Sequence, residues 1–92
     1  MIHELKIAPC YFSAVESGEK TFEIRDNRDR GFQKGDLVVL KEYDRKVPIE
    51  SFRFTGKQII KVITYVTNYE QQPGFVVFAM ADPDQISKEH AV

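Results

Sequence analysis

The apolar positions of this chain read as one strand, one short helix, and then strands to the end. Residues 2–8 carry Ile2, Leu5 and Ile7, with Lys6 between two of them, which predicts a first strand. Pro9 suits the first turn of a helix, where its missing N–H costs nothing. Tyr11, Phe12 and Val15 fall at helical spacing on one face, opposite Ser13, Glu16 and Ser17. Gly18 is placed to close that helix. A second strand is expected over 20–26, with Phe22 and Ile24 on one side and Thr21, Glu23 and Arg25 on the other. The two apolar residues give it the look of a half-buried strand whose charges face outward.

Residues 27–36 read as a polar loop turning at Gly31 and Gly35. The run Leu37-Val38-Val39-Leu40 predicts a third strand buried on both faces. Pro48 breaks the polar stretch 44–51. Phe52 and Phe54 then alternate with Arg53 and Thr55 up to Gly56, a short strand or hairpin arm. Residues 58–67, rich in Ile, Val and Thr, form the longest strand candidate. Gln71 to Gly74 is a turn, Phe75 to Met80 a last apolar strand, and the polar tail from Asp82 frays or forms a short helix. The expected class is α+β, mainly β: a strongly bent mixed sheet or small barrel of five to six strands, with one short helix after the first strand. All 92 residues form one domain, with a core over about 2–81 and a tail over 82–92.

Composition narrows the function classes. The chain is 42% hydrophobic and 29% charged, with a formal net charge of −1. Proteins that grip a nucleic-acid backbone non-specifically carry a strong positive excess. Any RNA or DNA contact must therefore come from a local pocket or stripe. Cys10 is the only cysteine, so no internal disulfide forms. With no apolar leader segment, this predicts a reducing, cytoplasmic setting. No run approaches the roughly 20 apolar residues of a membrane span, so no membrane partner is expected.

The candidate chemistry is concentrated in Gly18-Glu19-Lys20-Thr21-Phe22-Glu23-Ile24-Arg25. Glu23 and Arg25, two apart on a strand, leave the same face. Lys20 sits where the chain leaves the helix, free to swing over the mouth of a pocket. A carboxylate between two cations stays ionised and accepts hydrogen bonds, while the cations suit a phosphate or a carbonyl oxygen. The plainer alternative is a solvated strand face. Likewise, Arg25-Asp26-Asn27-Arg28-Asp29-Arg30 is either a solvated loop of weak ion pairs or a source of phosphate contacts from Arg28 and Arg30. His3 shares the face of Leu5 and Ile7, as a partly buried, hydrogen-bonded histidine or as a pocket residue. Tyr11, Phe12, Tyr43 and Tyr65 read mainly as core, with one or two at a pocket wall able to stack on a base. Cys10 reads as a small apolar helix residue. His3, Cys10 and His90 lack metal-ligand spacing and no phosphate-cradling glycine motif is present, so neither metal nor cofactor is expected.

The pattern Gly18-x-Lys20-x-x-Glu23-x-Arg25 resembles the signature of ASCH domains, in the PUA-like β-barrel superfamily. The likeness extends through His3-Glu4-Leu5-Lys6-Ile7, Tyr11-Phe12, Phe32-Gln33-x-Gly35-Asp36, Glu42-Tyr43-Asp44, Thr55-Gly56 and Ile63-Thr64-Tyr65, over about residues 3–80. Those segments are similar to a small ASCH-related group in bacteria and phages. The resemblance implies a small barrel with a helix beside a cleft, lined by the signature residues, and a ligand that is RNA or nucleobase-like. Some small relatives are amidohydrolases acting on an acetylated cytidine, and others are ribonucleases. In the amidohydrolase type the lysine matching Lys20 is catalytic. Those relatives carry threonine where this chain has Glu23 and use a second glutamate from a later segment, for which Glu70 is the candidate here.

The expectation is thus a module that binds a nucleotide, in single-stranded RNA. Glu23 accepts from an exocyclic amine, and Lys20 and Arg25 contact phosphate or carbonyl. His3 and Tyr11 shape the pocket, Thr21 shares its face, and Arg28 and Arg30 add phosphate contacts. The alternative is a small hydrolase acting on a modified nucleoside or RNA, with Lys20 as base or nucleophile and Glu23 orienting water. A third reading is a protein partner with no small ligand.

Overall fold

The computed structural model describes residues 1–28 and 30–84. Asp29, His90 and most of the polar tail lie outside them. The elements run β1 (Ile2–Ile7), α1 (Pro9–Glu16), β2 (Phe22–Asp26), β3 (Leu37–Tyr43), β4 (Phe54–Thr67) and β5 (Phe75–Ala81). All five strands form one sheet in the order β1-β3-β4-β5-β2, curled into a half-barrel. Only β1 and β3 are parallel; the other neighbours are antiparallel. The mixed, mainly β architecture with one helix after the first strand matches the expectation from sequence.

Local signals explain the helix. Pro9 occupies the first turn, and Ala8 before it is extended and makes no side-chain cap. Gly18, at φ +86°, takes the left-handed turn out of the helix, and Lys20 N–H returns to Ala14 O at 3.0 Å. Phe12 and Val15 are buried, whereas Tyr11, expected on the same face, is exposed. A short helix laid on a curled sheet covers it along a narrow stripe, and Tyr11 falls outside that stripe.

The core fills the concave side of the sheet. Leu5, Ile7, Val38, Leu40, Ile63, Val76, Phe78 and Met80 meet Phe12 and Val15 of the helix. Phe32, in the loop read as polar, plugs the remaining gap between the rings of His3 and Phe78, at 4.6 and 5.0 Å. The β3 run is buried on one face only: Val38 and Leu40 are inaccessible, while Leu37 and Val39 stay partly open on the convex side. One helix is enough to cover one face of five strands.

The two arms read on either side of Gly56 are one 14-residue strand. Gly56, at φ +92°, bends it instead of ending it. The register passes from Lys41↔Gln58 to Tyr43↔Phe54, so Thr55, Gly56 and Lys57 bulge opposite Glu42. The bulge brings Thr55 Oγ1 to Glu42 Oε1 at 2.7 Å, which satisfies a buried carboxylate.

Candidate functional site

The curl leaves β1 and β2 as the two free edges of the sheet, facing one another without a hydrogen-bonded ladder. Between them opens a cleft of about 590 Å³, within the range of roughly 300–1,000 Å³ usual for small-ligand sites. Its walls are the end of β1 (Lys6 and Ile7) with Ala8 after it, Tyr11 of α1, Lys20 with residues 22–25 of β2, Tyr43 at the end of β3, and Arg45 just beyond it.

The charged triad lies inside this cleft, with one change of face from the expectation. Glu23 stands opposite the fully buried Phe78 and Arg25 opposite Val76, so both point inward. Glu23 is 4% exposed, whereas Phe22 and Ile24 are 43% and 52% exposed. The amphipathic reading of β2 is thereby inverted. The inward side of this edge strand faces the cleft, and a carboxylate is tolerated there because cations flank it. Glu23 accepts from Lys20 Nζ on one oxygen and from Arg25 Nε, at 2.9 Å, on the other.

Lys20 does not swing freely. Its ammonium donates to Phe22 O at 2.9 Å as well as to Glu23, and lies 5.5 Å from the Tyr11 ring centre and 5.2 Å from that of Phe22. Both distances suit cation–π attraction. Arg25 reaches across the gap, where its Nη2 donates to Lys6 O at 2.9 Å. The cleft walls thus carry four cations (Lys6, Lys20, Arg25 and Arg45), one carboxylate and three aromatic rings.

Of the other predicted site residues, only Tyr11 joins this group. His3 is buried on the core side, its Nε2 hydrogen-bonded to Asp36 Oδ2 at 2.8 Å and its ring against Phe32. Asp36 also accepts from the N-terminal amine and from Gln33 N–H. The bond from His3, followed by these other donors, holds its carboxyl below the usual range against the opposing effect of burial. Thr21 is exposed off the cleft wall, and its carbonyl accepts from Met80 N–H at 3.0 Å. Arg28 pairs with Asp26, whose carboxyl it draws down to about 2. Arg30 Nη1 reaches Glu4 O at 3.4 Å, further along the β1 edge. Glu70 sits at φ +58° in the exposed β4–β5 turn, outside the cleft wall. Cys10 is exposed on the helix.

Sequence reasoning missed Lys6 and Arg45. Lys6 stood in plain view as an outward lysine on the first strand, but only the curl brings that strand to β2. Among the described residues, no cluster of three or more His, Cys, Asp or Glu is placed to hold a metal ion. No helix there is long and apolar enough to cross a membrane.

Comparison with known proteins finds a phage relative and a family match. The chain is 37% identical over 67 residues to an uncharacterised 12.9 kDa protein in the GpA 3′ region of Escherichia phage P2. That match covers 73% of this chain and 55% of the relative, so the chain spans about half the length of the phage protein. A family described as a domain of unknown function, DUF3850, matches residues 2–80, which takes in every strand and the whole cleft wall except the last residue of β5. The chain belongs to the DUF3850 family.

Proposed function

We propose that the cleft binds a nucleotide, presented by single-stranded RNA, and that the protein is a binding module of the ASCH type. The observation that carries this reading is the composition of the cleft wall. Four cations and three aromatic rings converge there in a protein whose formal net charge is −1. Positive charge concentrated in a partly enclosed cleft selects an anion, and rings beside it offer π-faces to a base. Glu23 fixes the positions of Lys20 and Arg25 and keeps lone pairs open for an exocyclic amine. Lys20 and Arg25 contact phosphate or a base carbonyl, and Tyr11 or Phe22 stacks.

Binding is the reading that the hydrogen bonds of Lys20 favour. Its ammonium donates to Phe22 O and to Glu23. With two N–H bonds of this nitrogen held at the wall, its remaining donor is placed to meet a ligand oxygen. The experiment is an NMR titration of labelled protein with nucleotides, acetylated cytidine and short single-stranded RNA, with ligand signals followed for a day. Amide shifts confined to residues around the cleft, lost in Lys20→Ala and Glu23→Gln, are expected with the ligand unchanged. Consumption of ligand that stops in Lys20→Ala would make the protein a hydrolase. Binding undiminished in both variants would place the site elsewhere.

A further inference from the structure

The cleft wall continues past Tyr43 onto a second cluster of rings and cations. Tyr43 faces Phe54 across the β3–β4 bulge, and the two rings meet edge to face at 4.8 Å and 67°. Lys6 Nζ lies 4.6 Å from the centre of Tyr43 and 5.9 Å from that of Phe54. The guanidinium carbon of Arg53 lies 6.0 Å from the Tyr43 centre. Arg53 Nε donates to Val47 O at 2.8 Å, which ties the guanidinium to the loop. A hydrogen bond from Arg53, and the charges of Arg53, Lys6 and Arg45, hold the Tyr43 hydroxyl below its usual range, so all three cations act on the same ring. Phe54 is partly open and Phe52 is 87% exposed. A phenylalanine that exposed contributes nothing to the core, and three cations around an aromatic pair match a polyanion that carries flat bases.

We propose that Tyr43, Phe54 and Phe52, with Lys6, Arg45 and Arg53, form a second nucleotide subsite. The ligand is then a single strand of RNA that runs from the cleft across the base of the β3–β4 loop. This inference rests on the nucleotide reading of the cleft. Lys6, Tyr43 and Arg45 border both places, so one phosphodiester link passes between the subsites along a row of cations. A mononucleotide fills the cleft alone. A polynucleotide fills both, with a further base stacked on the outer rings and a steeper dependence on salt.

The test compares nucleoside monophosphates with the matching short homopolymeric RNAs by calorimetry and fluorescence anisotropy, on the whole chain and on Phe52→Ser, Phe54→Ala and Arg53→Ala. Phe52→Ser removes an exposed ring and keeps the fold, so it remains informative if Phe54→Ala folds poorly. The RNA is expected to bind more tightly than the monophosphate. The two Phe variants should weaken RNA binding by about five- to 150-fold each while leaving the monophosphate unchanged. Arg53→Ala should flatten the salt slope for RNA by about 0.7. Equal affinities for monophosphate and RNA, with Lys20→Ala abolishing both, would overturn the second subsite and leave the cleft reading standing. If neither ligand binds, both readings fall.

Discussion

Arg25 Nη2 donates to the main-chain oxygen of Lys6 at 2.9 Å, which joins the two free edges of the curled sheet through a side chain. The same guanidinium, through Nε, holds Glu23. One arginine therefore sets the width of the cleft and the position of its carboxylate. Arg30 makes a longer contact of the same kind to Glu4 O, two residues back on the same edge. Unpaired carbonyls on a sheet edge invite pairing with another chain, and arginines laid over them block it.

Arg25→Ala is expected to lower stability by about 1–3 kcal/mol, because it removes two charged hydrogen bonds and leaves Glu23 with one partner. Arg25→Lys retains the charge but cannot span both acceptors, so it should recover only part of the loss. Urea denaturation measures this. Full recovery by lysine would show that charge alone matters.

Tyr11→Ala separates binding from folding. Tyr11 is exposed, and its ring borders the cleft beside Lys20. Stability should change by less than about 1 kcal/mol, while nucleotide affinity falls by about 1–3 kcal/mol if the ring stacks on a base. Unchanged affinity would assign stacking to Phe22 or Tyr43 instead.

Gly56 tests the bend in β4. A Cβ there meets nothing within 4 Å, yet φ is +92°. Gly56→Ala should therefore cost about 1–2 kcal/mol in backbone strain alone. It should also loosen Thr55 from the buried Glu42 carboxylate, visible as faster amide exchange along β4. A neutral substitution would mean that the bulge relaxes freely.

Acid should destabilise the fold in part through Asp36. Its carboxyl is held below the ordinary value of 3.8 in the folded protein. The unfolded chain therefore takes up the proton first. Stability is fully present above the ordinary value and is lost as pH falls through the folded one. In denaturation series run from neutral pH into acid, Asp36→Asn should be less stable at neutral pH and show a shallower acid limb below about pH 5. An unchanged limb would assign the acid sensitivity to other carboxylates.

Phe78→Ala should cost about 3–5 kcal/mol. Its ring is inaccessible and packs on Phe32. Because Phe78 also stands opposite Glu23, the variant should disturb the cleft as well as the core. Thermal unfolding together with the nucleotide titration reads both effects.

The limits of sequence reasoning are clearest at β2. Its span and its alternation of Phe22 and Ile24 with Glu23 and Arg25 were legible, but its inward face was assigned the wrong way round. Hydrophobicity places apolar residues inside by default, and alternation alone carries no sign. The sign came from β5, whose Val76, Phe78 and Met80 occupy the concave side and set the register that turns Glu23 inward. Phe32 was missed for a related reason. A single ring in a polar loop has no period, and only the gap between His3 and Phe78 shows why it is buried.

What the sequence determined by itself were the local events. The proline start and glycine exit of the helix, the strand segments, the turns at positive-φ glycines and the grouping of Lys20, Glu23 and Arg25 all depend on neighbours a few residues apart. The tertiary structure decided which distant edges meet. Lys6, Tyr43 and Arg45 join the triad only because the sheet curls until β1 faces β2. That curl comes from strand twist and from bulges of β4 at Gly56 and at Thr64, acting on strands paired across the whole chain, and no local pattern encodes it.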